Sequence, residues 1–296
     1  MSEISFKGVG VALPTPFKDD YSIDYDALAR LVEYTISGGV DYIVALGTTA
    51  ESPVIAKEEK REICEVIKTI NAGRVPLVMG IGSNDTSKVV HRIKNENLDG
   101  FSAILSVTPY YNKPSQEGLY LHFKTIAEIS PIPIILYNVP GRTGVNMLAE
   151  TTLQLARDFK NIIAIKEASG KINQIEEIVK KSPDGFEVMS GDDGMTFEAM
   201  GKGAVGVISV AANCYPRKIK KLYDLCSKKE TQKACEENNF LKEFFCLIFK
   251  DGNPAGIKCA LSNIGLINNI LRLPLTKVCD NTEKEIKNYL SLHSDI

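Results

Sequence analysis

From residue 8 onward the chain alternates short apolar runs with longer stretches in which apolar residues return every three or four positions. The runs GVGVAL (8–13), YIVAL (42–46), PLVMGI (76–81), FSAILS (101–106), PIILYN (133–138), IIAIKEA (162–168), FEVMSG (186–191) and GVISV (206–210) are short and rich in β-branched residues. They predict eight strands. The stretches between them predict helices around 24–38, 57–71, 84–97, 116–129, 148–158 and 171–181, with another beginning near Pro216. Asp24, Asn84 and Ser115 stand where a helix start needs a cap or a first-turn residue, and Gly38, Gly73 and Gly100 stand where the chain must turn after a helix.

Strands that are apolar almost throughout, each followed by an amphipathic helix, belong in a parallel sheet covered by helices. A closed (β/α)8 TIM barrel is the leading architecture, with a doubly wound open sheet as the alternative. Helical patterns continue over 232–250, 254–264 and 282–292, so residues 1–228 are expected to form the barrel and 229–296 a C-terminal helical extension packed on it. No Ser/Gly-rich linker separates the two. GKGAVG (201–206) satisfies GxGxxG, but a dinucleotide fingerprint must follow a strand and open a helix. This one follows a predicted helix and enters a strand, so it is expected to be a turn.

Composition narrows the function. With 44% hydrophobic and 24% charged residues the chain can bury a large core, and a net charge of -2 gives no general attraction to nucleic acid or anionic membrane. The one basic run, Arg217, Lys218, Lys220 and Lys221, is broken by Ile219 and reads as a solvated helix face. Without a secretory pattern or an apolar run near the length of a membrane span, the expected location is cytoplasmic. Seven scattered cysteines without a CxxC pair read as reduced core thiols, and His91, His122 and His293 are too far apart in sequence to suggest a metal cluster.

In a barrel of this kind the chemistry collects at the C-terminal ends of the strands. Strand two ends in GTTAES with Thr48, Thr49 and Glu51, strand four in TPYYN with Tyr110 and Tyr111, and strand five in YNVPGRTG with Tyr137 and Arg142. Strand six carries Lys166, and strand seven ends in SGDD, where Asp192 and Asp193 are placed to cap the next helix. Side chains alternate along a strand, so Ile162, Ala164 and Lys166 share one face, as do Ile135 and Tyr137 in the preceding strand. If that face is the lumen, Lys166 and Tyr137 converge near the mouth. An unpaired ammonium there is costly to keep charged, and a neutral amine is a nucleophile. A solvated strand end and a salt bridge with Glu167 are the alternatives.

GTTAES, VTPYYNKPSQEGLYLHF, YNVPGRTG, IKEASG, SGDD and GVISVAAN, in this order and continuing to NPAGIKCALSNIGLINNILRLPL, resemble the dihydrodipicolinate synthase family of pyruvate-dependent class I aldolases and lyases. The resemblance covers nearly the whole chain. It implies that Lys166 forms an imine with pyruvate, whose enamine adds to L-aspartate-4-semialdehyde to give 4-hydroxy-tetrahydrodipicolinate on the way to diaminopimelate and lysine. It implies no metal or organic cofactor. It assigns general acid/base chemistry to Tyr137, linked through Thr48 to Tyr111 of a neighbouring subunit in a homo-oligomer, with a dimer of dimers as the expected tetramer. Thr49 and Thr48 would hold the pyruvate carboxylate, Arg142 the semialdehyde carboxylate, and Gly191 and Ile208 would present backbone carbonyls. A sugar-acid aldolase such as N-acetylneuraminate lyase is the rival within the chemistry, and YNVPGRTG tells against it because those enzymes generally lack its arginine. A catalytically silent ligand-binding barrel is the rival outside it.

Two departures from the family pattern stand out. Ala50 occupies a position that is often glycine. Some relatives bind lysine as a feedback inhibitor beside residues matching Ser52, Pro53, Asn84 and Tyr110, but here Lys57 and Lys60 replace histidines and Lys88 replaces a glutamate. An ammonium in place of the carboxylate that the ligand's own ammonium needs repels it. Inhibition by lysine is therefore expected to be weak or absent.

Overall fold

The computed structural model describes residues 5–293. Its strands are β1 (Gly8–Ala12), β2 (Tyr42–Ala45), β3 (Leu77–Gly80), β4 (Ala103–Val107), β5 (Ile134–Asn138), β6 (Ile162–Glu167), β7 (Glu187–Ser190) and β8 (Gly206–Ser209). They close in sequence order into one barrel, and the registered pairs are parallel. The open-sheet alternative is thereby removed. The helices are α1 (Tyr25–Ser37), α2 (Lys57–Asn71), α3 (Thr86–Asn95), α4 (Gln116–Ile129), α5 (Pro140–Thr143), α6 (Ala149–Asp158), α7 (Ile172–Lys181), α8 (Thr196–Gly201), α9 (Pro216–Ser227), α10 (Thr231–Phe249), α11 (Ala255–Asn263) and α12 (Asp280–Leu292).

The chain divides into two compact units. One comprises the residues up to Gly8 and Leu77–Ile208; the other comprises Val9–Pro76 and the residues from Ser209 onward. In the first, Ile134, Ile135, Leu136, Ala164 and Ile165 of adjacent strands are fully buried, which is why these runs carry no polar alternation. In the second, the Tyr215 and Phe244 rings meet edge to face at 4.8 Å, and Tyr289 stacks on Phe244 at 5.5 Å, joining α9, α10 and α12. Each such buried side chain contributes about 1.5–3 kcal/mol relative to leaving it in water.

Asp24 and Ser115 cap their helices as expected, accepting from the backbone N–H of Ala27 and Gly118. At the third start the cap is Asp85 rather than Asn84: its carboxylate accepts from the N–H groups of Ser87 and Lys88. The basic run on α9 is also less solvated than expected, because the half-buried Lys220 pairs with Asp41 and Asp224. GKGAVG leaves α8 and enters β8, the geometry of a turn.

Candidate active site

β5 and β6 bring the first two predicted residues together. Their register sets Tyr137 beside Lys166 and Asn138 beside Glu167. The pairing shifts between Ile134 and Ile135, passing over Ile163, and from Ala164 onward alternation holds to the strand end. Asn138 and Glu167 both hydrogen bond toward the helix layer, where Gln174 of α7 donates to the Glu167 carboxylate at 2.9 Å. Lys166 and Tyr137, one residue earlier on each strand, therefore face the lumen.

There the two are 5% and 6% exposed, and the Lys166 ammonium lies over the Tyr137 ring, 4.4 Å from its centroid. Among the described residues Lys166 has no carboxylate partner, so both the salt bridge with Glu167 and the solvated strand end are excluded. Gly191 closes in from the end of β7. A Cβ at that position would come within 3.0 Å of Lys166 Cγ and Cε and within 2.7 Å of Ala168 Cβ. The position favours glycine chiefly because the Ala168 methyl occupies the space, with the lysine stem beside it. Behind the lysine, burial pushes the Glu167 carboxyl above its ordinary value, opposed by hydrogen bonds from Asn138, Ser169 and Gln174.

In the other unit, β2 runs into a short 3-10 turn at Thr48–Ala50. Thr49 is buried, and its hydroxyl accepts from the Asn253 side-chain amide at 3.0 Å. Glu51 follows with left-handed backbone (φ 57) and turns its carboxylate inward to an ion pair with Lys258, which is 0% exposed. Lys258 also donates to the Ile270 carbonyl at 2.8 Å and lies over the Phe17 ring. Glu51 Oε2 accepts from Arg272 N, and the Arg272 guanidinium forks onto Glu59. Burial pulls Lys258 down to about 8, against the opposing attraction of Glu51. This turn is thus held from beneath by a charge cluster rather than by apolar packing alone.

A model of the dihydrodipicolinate synthetase family matches residues 5–293. The chain belongs to this family. It is 52% identical over 290 residues to the 4-hydroxy-tetrahydrodipicolinate synthase of Parabacteroides distasonis, covering 98% of each chain. Among solved structures, a monomeric dihydrodipicolinate synthase variant matches with a TM-score of 0.96 and 39% identity, covering 98% of each chain. The dihydrodipicolinate synthase of Acinetobacter baumannii, complexed with pyruvate, matches at 0.95 with 38% identity, covering 99% of this chain and 100% of that one.

Other residues singled out from the sequence of this dihydrodipicolinate synthetase family member are more open. Tyr111 is 88% exposed on left-handed backbone (φ 73), a conformation that costs a non-glycine residue about 1–3 kcal/mol. Arg142 is exposed at the end of α5, Thr48 is half-buried, and Ile208 is buried in β8. Ser52 and Asn84 are half-buried, while Lys57, Lys88 and Tyr110 are exposed. The sequence reading missed Asn138, Asn146, Gln174, Asn253 and Lys258, which hold the turn and strand ends. Glu51 it noted without a role. Only the strand parity of Asn138 and Glu167 signals that they back onto Tyr137 and Lys166.

Proposed function

We propose that the protein is a Schiff-base lyase that condenses pyruvate with L-aspartate-4-semialdehyde to 4-hydroxy-tetrahydrodipicolinate. The observation that carries this reading is the buried Lys166, without a carboxylate partner among the described residues and set against Tyr137. Lys166 Nζ attacks the ketone carbon of pyruvate, and loss of water leaves an iminium that withdraws electrons from the methyl carbon. Removal of a methyl proton gives the enamine, which forms the carbon–carbon bond to the semialdehyde's aldehyde carbon. The semialdehyde's amino group then adds to the iminium carbon, closing the ring and releasing Lys166. The iminium is the electron sink, so the sequence as written needs no metal or organic cofactor.

Tyr137 moves the protons, relayed by the hydroxyls of Thr48 and of Tyr111 from a neighbouring subunit. Thr48 and Thr49 hold the pyruvate carboxylate. Arg142 takes the semialdehyde carboxylate, for which its planar fork is suited. Gly191 and Ile208 supply backbone carbonyls. The exposure of Tyr111 suits a side chain that serves another copy, and the working assembly is a homodimer or a dimer of dimers. No described helix is long and apolar enough to cross a membrane, and a cytoplasmic location fits the substrates.

Mass spectrometry after incubation with pyruvate and borohydride tests the reading. One reduced pyruvate adduct is expected on Lys166, and none in Lys166→Ala. An adduct elsewhere, or one retained by the variant, overturns it. Turnover of aspartate semialdehyde but not of sialic acid excludes the sugar-acid aldolase.

A further inference from the structure

Glu167 is 1% exposed and has no cationic partner among the described residues. Asn138 Nδ2 donates to both of its carboxylate oxygens, at 3.2 and 3.0 Å, Ser169 N–H donates at 2.7 Å and Gln174 Nε2 at 2.9 Å, and the Ser169 hydroxyl also hydrogen bonds there. Neither amide is free to turn round. Asn138 Oδ1 accepts from Met147 N–H at 2.9 Å, and Gln174 Oε1 accepts from Asn146 Nδ2 at 2.9 Å while its Nε2 also donates to the Met147 carbonyl at 3.0 Å. The two amides and the Ser169 backbone N–H can only donate here, so the arrangement fits the ionised form.

The cluster spans the elements that carry the chemistry. Asn138 and Glu167 are the last residues of β5 and β6, each following a lumen-facing residue, Tyr137 or Lys166. Asn138 and Met147 bracket the segment that contains α5 and Arg142, and their direct hydrogen bond ties its two ends together. Lys166 itself has four rotatable side-chain bonds and, among the described residues, a ring contact in place of an ion pair to fix it. Its direction is therefore set by the backbone beneath it and by Gly191.

We propose that Glu167 is a positioning residue whose carboxylate, gripped by Asn138, Ser169 and Gln174, aims Lys166 and Tyr137 into the lumen and holds the Arg142 segment against the strand ends. This rests on the Schiff-base reading of Lys166 and adds to it a residue that never meets substrate. Misplacement of a reacting group by about 1 Å costs on the order of 100-fold in rate, so a loosened clamp acts on the chemical step more than on pyruvate affinity.

The test is Glu167→Gln, which keeps the shape but turns an amide N–H2 toward donors, measured beside Glu167→Gln/Gln174→Glu, which restores an acceptor opposite that amide. Read-outs are the rate of borohydride-trapped adduct formation, kcat, KM for pyruvate and the melting temperature. The single variant is expected to lose about tenfold or more in trapping rate and kcat, with KM within about threefold and folding retained. The double variant is expected to recover at least part of the loss. Wild-type trapping in the single variant, or a loss matched by its unfolded fraction with no recovery in the double, overturns the role. Should Glu167→Gln fail to fold, Gln174→Met removes one donor, and an unchanged trapping rate there is equally decisive against it. A wild-type chain that traps no pyruvate overturns the underlying reading instead, and this inference with it.

Discussion

The side-chain amide of Asn253 donates to the Thr49 hydroxyl at 3.0 Å, joining residues separated by 204 positions in sequence at the turn that follows β2. A buried hydroxyl that has lost its donor costs about 1 kcal/mol or more. Asn253→Ala is therefore expected to raise the pyruvate KM about fivefold, the equivalent of about 1 kcal/mol. Steady-state kinetics at saturating semialdehyde measures this.

Beneath the same turn, Lys258 and Glu51 have no access to water. Lys258→Met leaves a buried carboxylate without its counter-charge and is expected to cost about 3–5 kcal/mol of stability. Adding Glu51→Gln removes the stranded charge while still accepting from Arg272 N–H, so the double variant should be more stable than the single one. Chemical denaturation of the three proteins gives the comparison.

Acid sensitivity should trace in part to His122, which burial holds down at about 4, with Nδ1 hydrogen bonded to the Thr86 hydroxyl. The unfolded chain binds a proton here below its ordinary value of 6.5, whereas the folded chain resists doing so until about 4. Between those values the unfolded state holds more protons, so stability falls as pH falls through that window and is unaffected above it. The loss by the lower end is on the order of 2–3 kcal/mol. Melting curves across this range should slope less steeply for His122→Gln than for wild type.

Gly191→Ala inserts a methyl group within 3.0 Å of the lysine stem. A Lys166 pushed from its path is expected to form adduct about tenfold more slowly or worse, and the 2.7 Å approach to Ala168 Cβ to lower the melting temperature by the equivalent of about 1–3 kcal/mol. The trapping time course and a thermal melt together report it.

The fold was readable because it is written in runs. All eight strands were legible since a strand buried on both faces has no room for polar residues, and the long helices followed from their apolar period. α5 escaped because four residues are too few to show a period, whereas α8, equally short of a period, was legible only through the SGDD cap before it and the GKGAVG turn after it. The Asn84 cap was displaced by one because Asn84 and Asp85 are adjacent and both suited to the role; only the fold decides which side chain reaches the free N–H groups. Lys166 and Tyr137 were legible through strand parity, and that same parity separates Glu167 from Lys166. The supporting residues were hidden for a different reason. Asn253 and Lys258 meet Thr49 and Glu51 only after the chain has folded, and an isolated asparagine or lysine gives no hint of such a partner.

Tyr111 projects from the subunit on strained backbone, its ring almost wholly uncovered. If it completes the site of a neighbour, each reaction centre is assembled from two polypeptides, and inactivity becomes separable. A chain dead through Lys166→Ala and one dead through Tyr111→Phe, allowed to exchange subunits, should regenerate activity, because a mixed pair contains one intact centre. Catalysis would then be inherited by the pair rather than by the individual chain.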